Sequence, residues 1–187
     1  MLAATYHAPL GDIDLVAGER GLVGLWFVDA PPRDADALYA RAARLEVRDA
    51  ESGGAACTPS DPADTASAAV LRHAWGWLNA YFAGQRPRWV PPVHIESSEF
   101  AHVVAAEVLG IPFAHVRAAD RIACAVADRM RGEALRPSGR LEPLIVEALD
   151  SMPVQLIIPV HRVPRDSERP YAGKLRAFEK RTENSAR

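Results

Sequence analysis

The sequence predicts an α/β domain followed by a mainly helical one, and three observations predict it. "PLGDIDLVAGERGLVGLWFV" alternates apolar and polar residues on both sides of "GERG", the pattern of a β-hairpin with a Gly-containing turn. "VLRHAWGWLNAYFAG" carries Trp75, Leu78, Tyr81 and Phe82 on one broad face, an amphipathic helix that Gly84 closes. Beyond the Pro-rich stretch "QRPRWVPPVHI", which cannot be helical, the apolar spacing is mostly helical. We place the boundary in that stretch. Residues 1–91 then form the α/β domain and residues 92–187 the helical one.

The remaining elements follow in chain order. After the hairpin, Leu38, Ala42 and Leu45 have helical spacing, so Asp34 to Val47 reads as a helix. Residues 48–69 are rich in Ala, Ser, Asp, Gly and Pro without a period, which predicts a mobile surface loop. In the second half Ser98 is the N-cap expected for "EFAHVVAAEVLG", with Glu99 in its first turn. Gly110 and Pro112 stop that helix. "RAADRIACAVADRMRG" reads as a second helix with Ile122, Ala125, Val126 and Met130 on its apolar face, which puts Cys124 toward the core. "RLEPLIVEALDSM" reads as a third, "VQLIIPV" as a short buried strand, and "GKLRAFEKRTENSAR" as a helix ending in a polar tail. Short helices followed by a strand fit a helix-turn-helix or winged-helix-like module.

Composition excludes several classes. Apolar residues make up 49% of the 187, enough for a packed core. No apolar run reaches the ~18 residues that span a bilayer. The start "MLAATYHAPLGD" has no charged region followed by an apolar one, so it does not read as a signal peptide. Two isolated cysteines, Cys57 and Cys124, make neither a disulfide framework nor a metal site. The expected setting is a reducing cytoplasm, with no membrane partner. His7, His73, His94, His102 and His115 lack metal-ligand spacing, so neither metal nor cofactor is expected. The net charge is −2. Residues 95–187 carry fourteen Lys and Arg against thirteen Asp and Glu, and the first 94 carry eight against eleven. A duplex binder normally shows a clear basic face. The one crowd of cations is Arg162, Arg165, Arg169, Lys174, Arg176, Lys180 and Arg181, and a solvated mixed surface accounts for it equally well.

The order of pieces resembles the O6-alkylguanine-DNA alkyltransferase (methylated-DNA–protein-cysteine methyltransferase) family. The motifs that carry this run nearly the whole chain: "APLGDIDLVAGERGLVGLWF", "LNAYFAGQR", "VLGIPFAHVRAADRIA", "SMPVQLIIPVHRV" and "PYAGKL". The resemblance implies a ribonuclease-H-like N-terminal domain and a helix-turn-helix C-terminal domain. In active members the latter flips an alkylated guanine out of the duplex, and a cysteine takes the alkyl group irreversibly.

The family's reactive motif is Pro-Cys-His-Arg, and here it reads Pro159, Val160, His161, Arg162. The attacking species is a thiolate, activated by the His and by a downstream Glu that holds it. A valine cannot accept an alkyl group. The Glu has no sure match and falls near Ser185, with Glu183 close by. Met152 takes the place of an Asn near the active site, and Tyr171, Ala172 and Gly173 fall in the loop that lines the pocket. The Tyr that helps to lift the base falls on Ala119, followed by Asp120, and the Arg that fills the vacated stack falls on Pro143. Arg140 is a candidate substitute for that Arg, and Arg162 and Arg165 are further candidate DNA contacts.

Two functions follow. One is a catalytically inactive alkyltransferase-like protein that binds double-stranded, alkylated DNA. The other is a repurposed fold that takes a small molecule or a protein, or runs acid–base chemistry, at His161 paired with a carboxylate such as Asp120 or Glu183. His161 and Arg162 could equally be a buried polar pair that closes the chain onto the next loop.

Overall fold

The computed structural model describes residues 1–44, 62–130, 141–165 and 169–185. They form two compact units, Met1–Glu96 and Ser97–Arg187.

The first unit is built on a sheet. Strands β1 (Leu2–Ala8), β2 (Gly11–Gly18) and β3 (Gly21–Phe27) run antiparallel, and β4 (Ala43–Arg44) adds two parallel residues beside β1. The sheet order is β3-β2-β1-β4. Helix α1 (Ala35–Ala40) precedes β4, and α2 (Pro62–Phe82) packs against the sheet. Side chains on a strand alternate between faces. One face presents Ile13, Leu15 and Ala17 of β2. Helix α2 turns Val70, Leu71, Ala74, Trp77, Leu78 and Tyr81 inward at helical spacing.

Three expectations for this half change. The helix expected over Asp34 to Val47 ends at Ala40, because Ala43 and Arg44 pair with Leu2 and Ala3. An open strand edge offers unpaired N–H and C=O groups, and Ala43 N–H donates to Met1 O at 3.1 Å. Residues 62–69, read as the end of a loop, are the first turns of α2. Residues 48–61 of that loop, Cys57 among them, lie outside the described residues. The third change concerns the boundary. The Pro-rich segment stays with the first unit up to Glu96, because Val93 bridges to Leu22 on β3. Leu22 N–H donates to Pro92 O and His94 N–H to Leu22 O, each at 2.8 Å. Gly21 permits this crossing. Its φ is +152°, and a Cβ there would lie 2.8 Å from the Pro92 carbonyl.

The second unit is helical: α3 (Glu99–Leu109), α4 (Ala119–Arg129), α5 (Leu141–Asp150) and α6 (Ala172–Ser185). Helices α3, α4 and α5 pack on one another. The expected N-cap is present: Ser98 Oγ accepts from Ala101 N–H at 3.3 Å. The buried face of α4 is Ala119, Ile122, Ala123 and Val126, and Met130, just past its end, is also buried. Cys124, expected in the core, is exposed. The apolar spacing was compatible with either rotation, and packing against α3 and α5 selects the one that buries Ala123.

The run "VQLIIPV" is buried but is not a ladder strand. Leu156 has a φ of +70°, and Ile157 N–H donates to Gln155 O at 2.8 Å across it. That is a three-residue turn. A second such turn over Pro159 (φ −80°, ψ 63°) brings Val160 N–H to Ile158 O at 2.7 Å. A single 3-10 turn, Val160–Arg162, follows. A run buried on all sides carries no period, so its apolar content could not distinguish strand from coil. Among the described residues no helix is long and apolar enough to cross a membrane.

Candidate functional site

The double turn and the 3-10 turn present His161 and Arg162 to the inner face of α6. There Leu175 and Glu179 are buried four residues apart. A glutamate with its side chain 1% exposed has to be paired. His161 Nε2 lies 2.9 Å from Glu179 Oε1. Arg162 donates to the same carboxylate from Nη2 at 2.8 Å and from Nε at 3.1 and 3.2 Å to its two oxygens. The backbone N–H of Ala114 donates to Glu179 Oε2 at 2.9 Å. Ala114 has a φ of +61°, a left-handed conformation that costs a non-glycine residue about 1 kcal/mol. The carboxylate therefore ties three segments that are far apart in sequence.

Arg162 also donates from Nη1 to Ile111 O at 2.8 Å, and its guanidinium lies 5.6 Å from the centre of the Phe113 ring. Its own carbonyl accepts from Arg117 N–H at 3.0 Å. Arg176 Nη1 donates to His161 O at 2.8 Å.

The electrostatics follow from the contacts. Burial alone would raise the Glu179 carboxyl. The hydrogen bonds from His161 and Arg162 outweigh it and hold the pKa at about 2, below the ordinary 4.5. Burial moves His161 the other way, below its ordinary 6.5, against the opposing pull of Glu179. The resulting state is a carboxylate facing a neutral imidazole. An ionised carboxylate only accepts, so the imidazole proton is on Nε2 and the lone pair is on Nδ1. Nδ1 is buried and has no hydrogen-bond partner among the described residues. The Val160 side chain precedes this pair in sequence and is 4% exposed.

The other expected site residues divide clearly. Met152, Pro159 and Ala172 are buried, Tyr171 is half-buried at the start of α6, and Gly173 is exposed. Ala119 is buried at the first position of α4, while Asp120 and Pro143 are exposed. Asp120 is exposed and accepts from the adjacent Arg121 N–H at 2.7 Å, while the carboxylate at His161 is that of Glu179. Arg140 lies outside the described residues. Arg165 is held by Asp150 Oδ1 at 2.7 Å.

Sequence reasoning missed Glu179 and looked one turn later, to Glu183 and Ser185. The signal was present, since Glu179 falls at helical spacing from Ala172 and Leu175, where an apolar residue belongs. The apparent basic crowd also shrinks. Arg162, Arg165 and Arg176 point at internal acceptors, as does Arg169, which donates to Asp150 O. Only Lys174, Lys180 and Arg181 of the seven are exposed.

Residues 1–89 match the family model for the ribonuclease-like domain of 6-O-methylguanine DNA methyltransferase. The whole chain is similar in structure to the O6-methylguanine methyltransferase of Mycobacterium tuberculosis. The TM-score is 0.65 at 20% identity, covering 98% of this chain and 93% of that one. It is also similar to OGT of the same organism solved in complex with DNA, at a TM-score of 0.64, 19% identity and coverage of 98% and 94%. No curated protein matches its sequence.

Proposed function

We propose that this chain, whose N-terminal half belongs to the ribonuclease-like domain family of 6-O-methylguanine DNA methyltransferases and whose whole length has that fold, binds DNA without transferring an alkyl group. The observation that carries the reading is Val160, buried directly before a His161–Glu179 pair of the kind that would activate a thiol. The pair is assembled, and the position before it offers a hydrocarbon. The DNA part rests on fold similarity to a protein solved on DNA, which is analogy.

Charge sets the expected strength. The exposed residues of α5 include Glu142 and Glu147, and the helix contains no Lys or Arg. Arg121 on the first turn of α4, with Lys174, Lys180 and Arg181 on α6, remains exposed for phosphates. Binding should therefore be weak and strongly salt-dependent. Ala119 is buried and cannot act as a wedge, so discrimination for a lesion should be small.

Fluorescence anisotropy against a duplex, with and without one O6-methylguanine, tests this at low and physiological salt. The reading expects binding at low salt that falls steeply as salt rises. No binding at low salt overturns it. Val160→Cys should take no labelled methyl from alkylated duplex, since the wedge is still missing. Transfer to that variant would show that the cysteine alone separates this chain from an active enzyme.

One observation favours a second reading, a small polar ligand at His161. Nδ1 of His161 and Nε2 of Gln155 are both buried without a partner among the described residues. A ligand that donates to Nδ1 of His161 would satisfy that atom. Its binding would shift the His161 ring ¹⁵N signals, and a ligand screen without any such shift would remove the reading.

A further inference from the structure

The first unit carries a surface that the reading above does not use. Residues 65–92 contain Arg72, Arg86 and Arg88 and no Asp or Glu, in a chain of net charge −2. Within this stretch "QRPRWVPP" forms neither helix nor strand. Pro87, Pro91 and Pro92 lack backbone donors and cannot continue α2. The segment is fixed at both ends: Gln85 N–H donates to Ala80 O at 2.9 Å, and Pro92 O accepts from Leu22 N–H at 2.8 Å. Between these anchors Arg86, Arg88, Trp89 and Val90 are exposed, Trp89 by 47%.

The indole has a seat. Its Cη2 lies 3.7 Å from where a Cβ on Gly76 would stand, so it rests on α2 at that glycine. A Cβ there would meet the ring at ordinary van der Waals distance, so the indole packs directly on the helix at this position. Arg72 lies one turn earlier on the same exposed stripe of α2, four residues from Gly76. The result is a supported aromatic ring, about half open to solvent, on an acid-free basic stretch.

We propose that Trp89, with Arg72 and Arg88, is a docking platform for single-stranded nucleic acid. A base stacks on the open indole and the arginines hold the flanking phosphates. Duplex is the poorer fit, because its bases already stack on one another. An acidic protein segment would satisfy the arginines but would not need a flat π-surface. The platform lies in the first unit and works whether or not the second unit binds duplex.

The experiment is anisotropy of a labelled oligothymidylate of about twelve nucleotides with the full chain at low salt, beside its abasic counterpart and a duplex. The proposal expects the base-bearing strand to bind best. Trp89→Ala should weaken that binding on the order of tenfold or more, Trp89→Phe should retain most of it, and duplex affinity should not follow either change. Arg88→Ala should flatten the salt dependence by about one phosphate contact. Equal binding of the abasic strand, or an unchanged affinity in a folded Trp89→Ala variant, overturns the proposal. So does no binding of the strand at low salt, which would leave the patch to a protein partner. Loss of duplex binding alone would sink the proposed function and leave the platform standing.

Discussion

Among the described residues each unit buries one carboxylate, Asp14 and Glu179, and the two are held in different ways. Asp14 on β2 is 5% exposed and meets neutral hydroxyls. Thr5 Oγ1 donates to it at 2.5 Å from the directly opposite position on β1, and the Tyr39 hydroxyl donates to it from α1. The Trp26 ring, opposite Asp14 on β3, stands edge-to-face with Tyr39 at 5.4 Å. Glu179 meets a guanidinium, an imidazole and a strained backbone N–H instead. Thr5 reaches Asp14 because strand register puts it there, and among the described residues Tyr39 is its partner from outside the sheet. Partners of Glu179 come from positions 114, 161 and 162, far from it in sequence, and the tertiary fold brings them together. A hydroxyl cluster stabilises a sheet face locally, while an ion-paired carboxylate holds separate segments in one arrangement. Removing the second should therefore cost more than removing the first.

The largest effect should come from Glu179→Ala. It leaves the half-buried Arg162 uncompensated and frees the Ala114 N–H, and breaking a buried pair in this way costs roughly 3–5 kcal/mol. Urea unfolding measures it, and a loss below about 1 kcal/mol would erase the contrast between the two sites. Asp14→Ala should cost less, about 1–3 kcal/mol, because it removes an acceptor from two neutral hydroxyls rather than the counter-charge of a guanidinium. A larger loss than for Glu179→Ala would reverse the comparison.

Acid should find the second unit first. His161 is held below 6.5, so below pH 6.5 the unfolded chain takes up a proton that the folded one refuses. Glu179 titrates at about 2 when folded and near 4.5 when unfolded. Its contribution is fully present above pH 4.5 and is lost as pH falls toward 2. Stability should therefore decline in two stages, and Glu179→Gln should flatten the lower one. Denaturation midpoints across pH 2–7 for both proteins would show it, and identical lower limbs would contradict the assignment.

The smallest effect should be that of Ala114→Gly. Relief of a φ of +61° is worth about 1 kcal/mol, offset in part by the greater freedom of glycine in the unfolded chain. A change within about 1 kcal/mol is expected, with the His161–Glu179 contact kept. A clear destabilisation would mean that the alanine methyl, and not only its N–H, holds the site.

The β2–β3 hairpin, the amphipathic α2, the Ser98 cap and the helical second half were all legible in the sequence, because each is written in short-range periodicity or in a capping residue. So was the switch from a greasy run to polar groups at His161 and Arg162, because it is a local signal. The partner of His161 was not legible. Glu179 lies eighteen residues on, and choosing it over Glu183 requires the rotation of α6, which packing sets. The exposure of Cys124 and the inward turn of the clustered arginines were hidden for the same reason. A sequence states which side chains are apolar or charged, but which charges meet is fixed when helices settle against a common core. By itself this sequence determined the β2–β3 hairpin, the amphipathic α2, the helical second half and the hydrocarbon at position 160. The tertiary structure decided that the histidine and arginine beside it close on one buried carboxylate, since an ionised Glu179 leaves water only where enough donors converge on it at once.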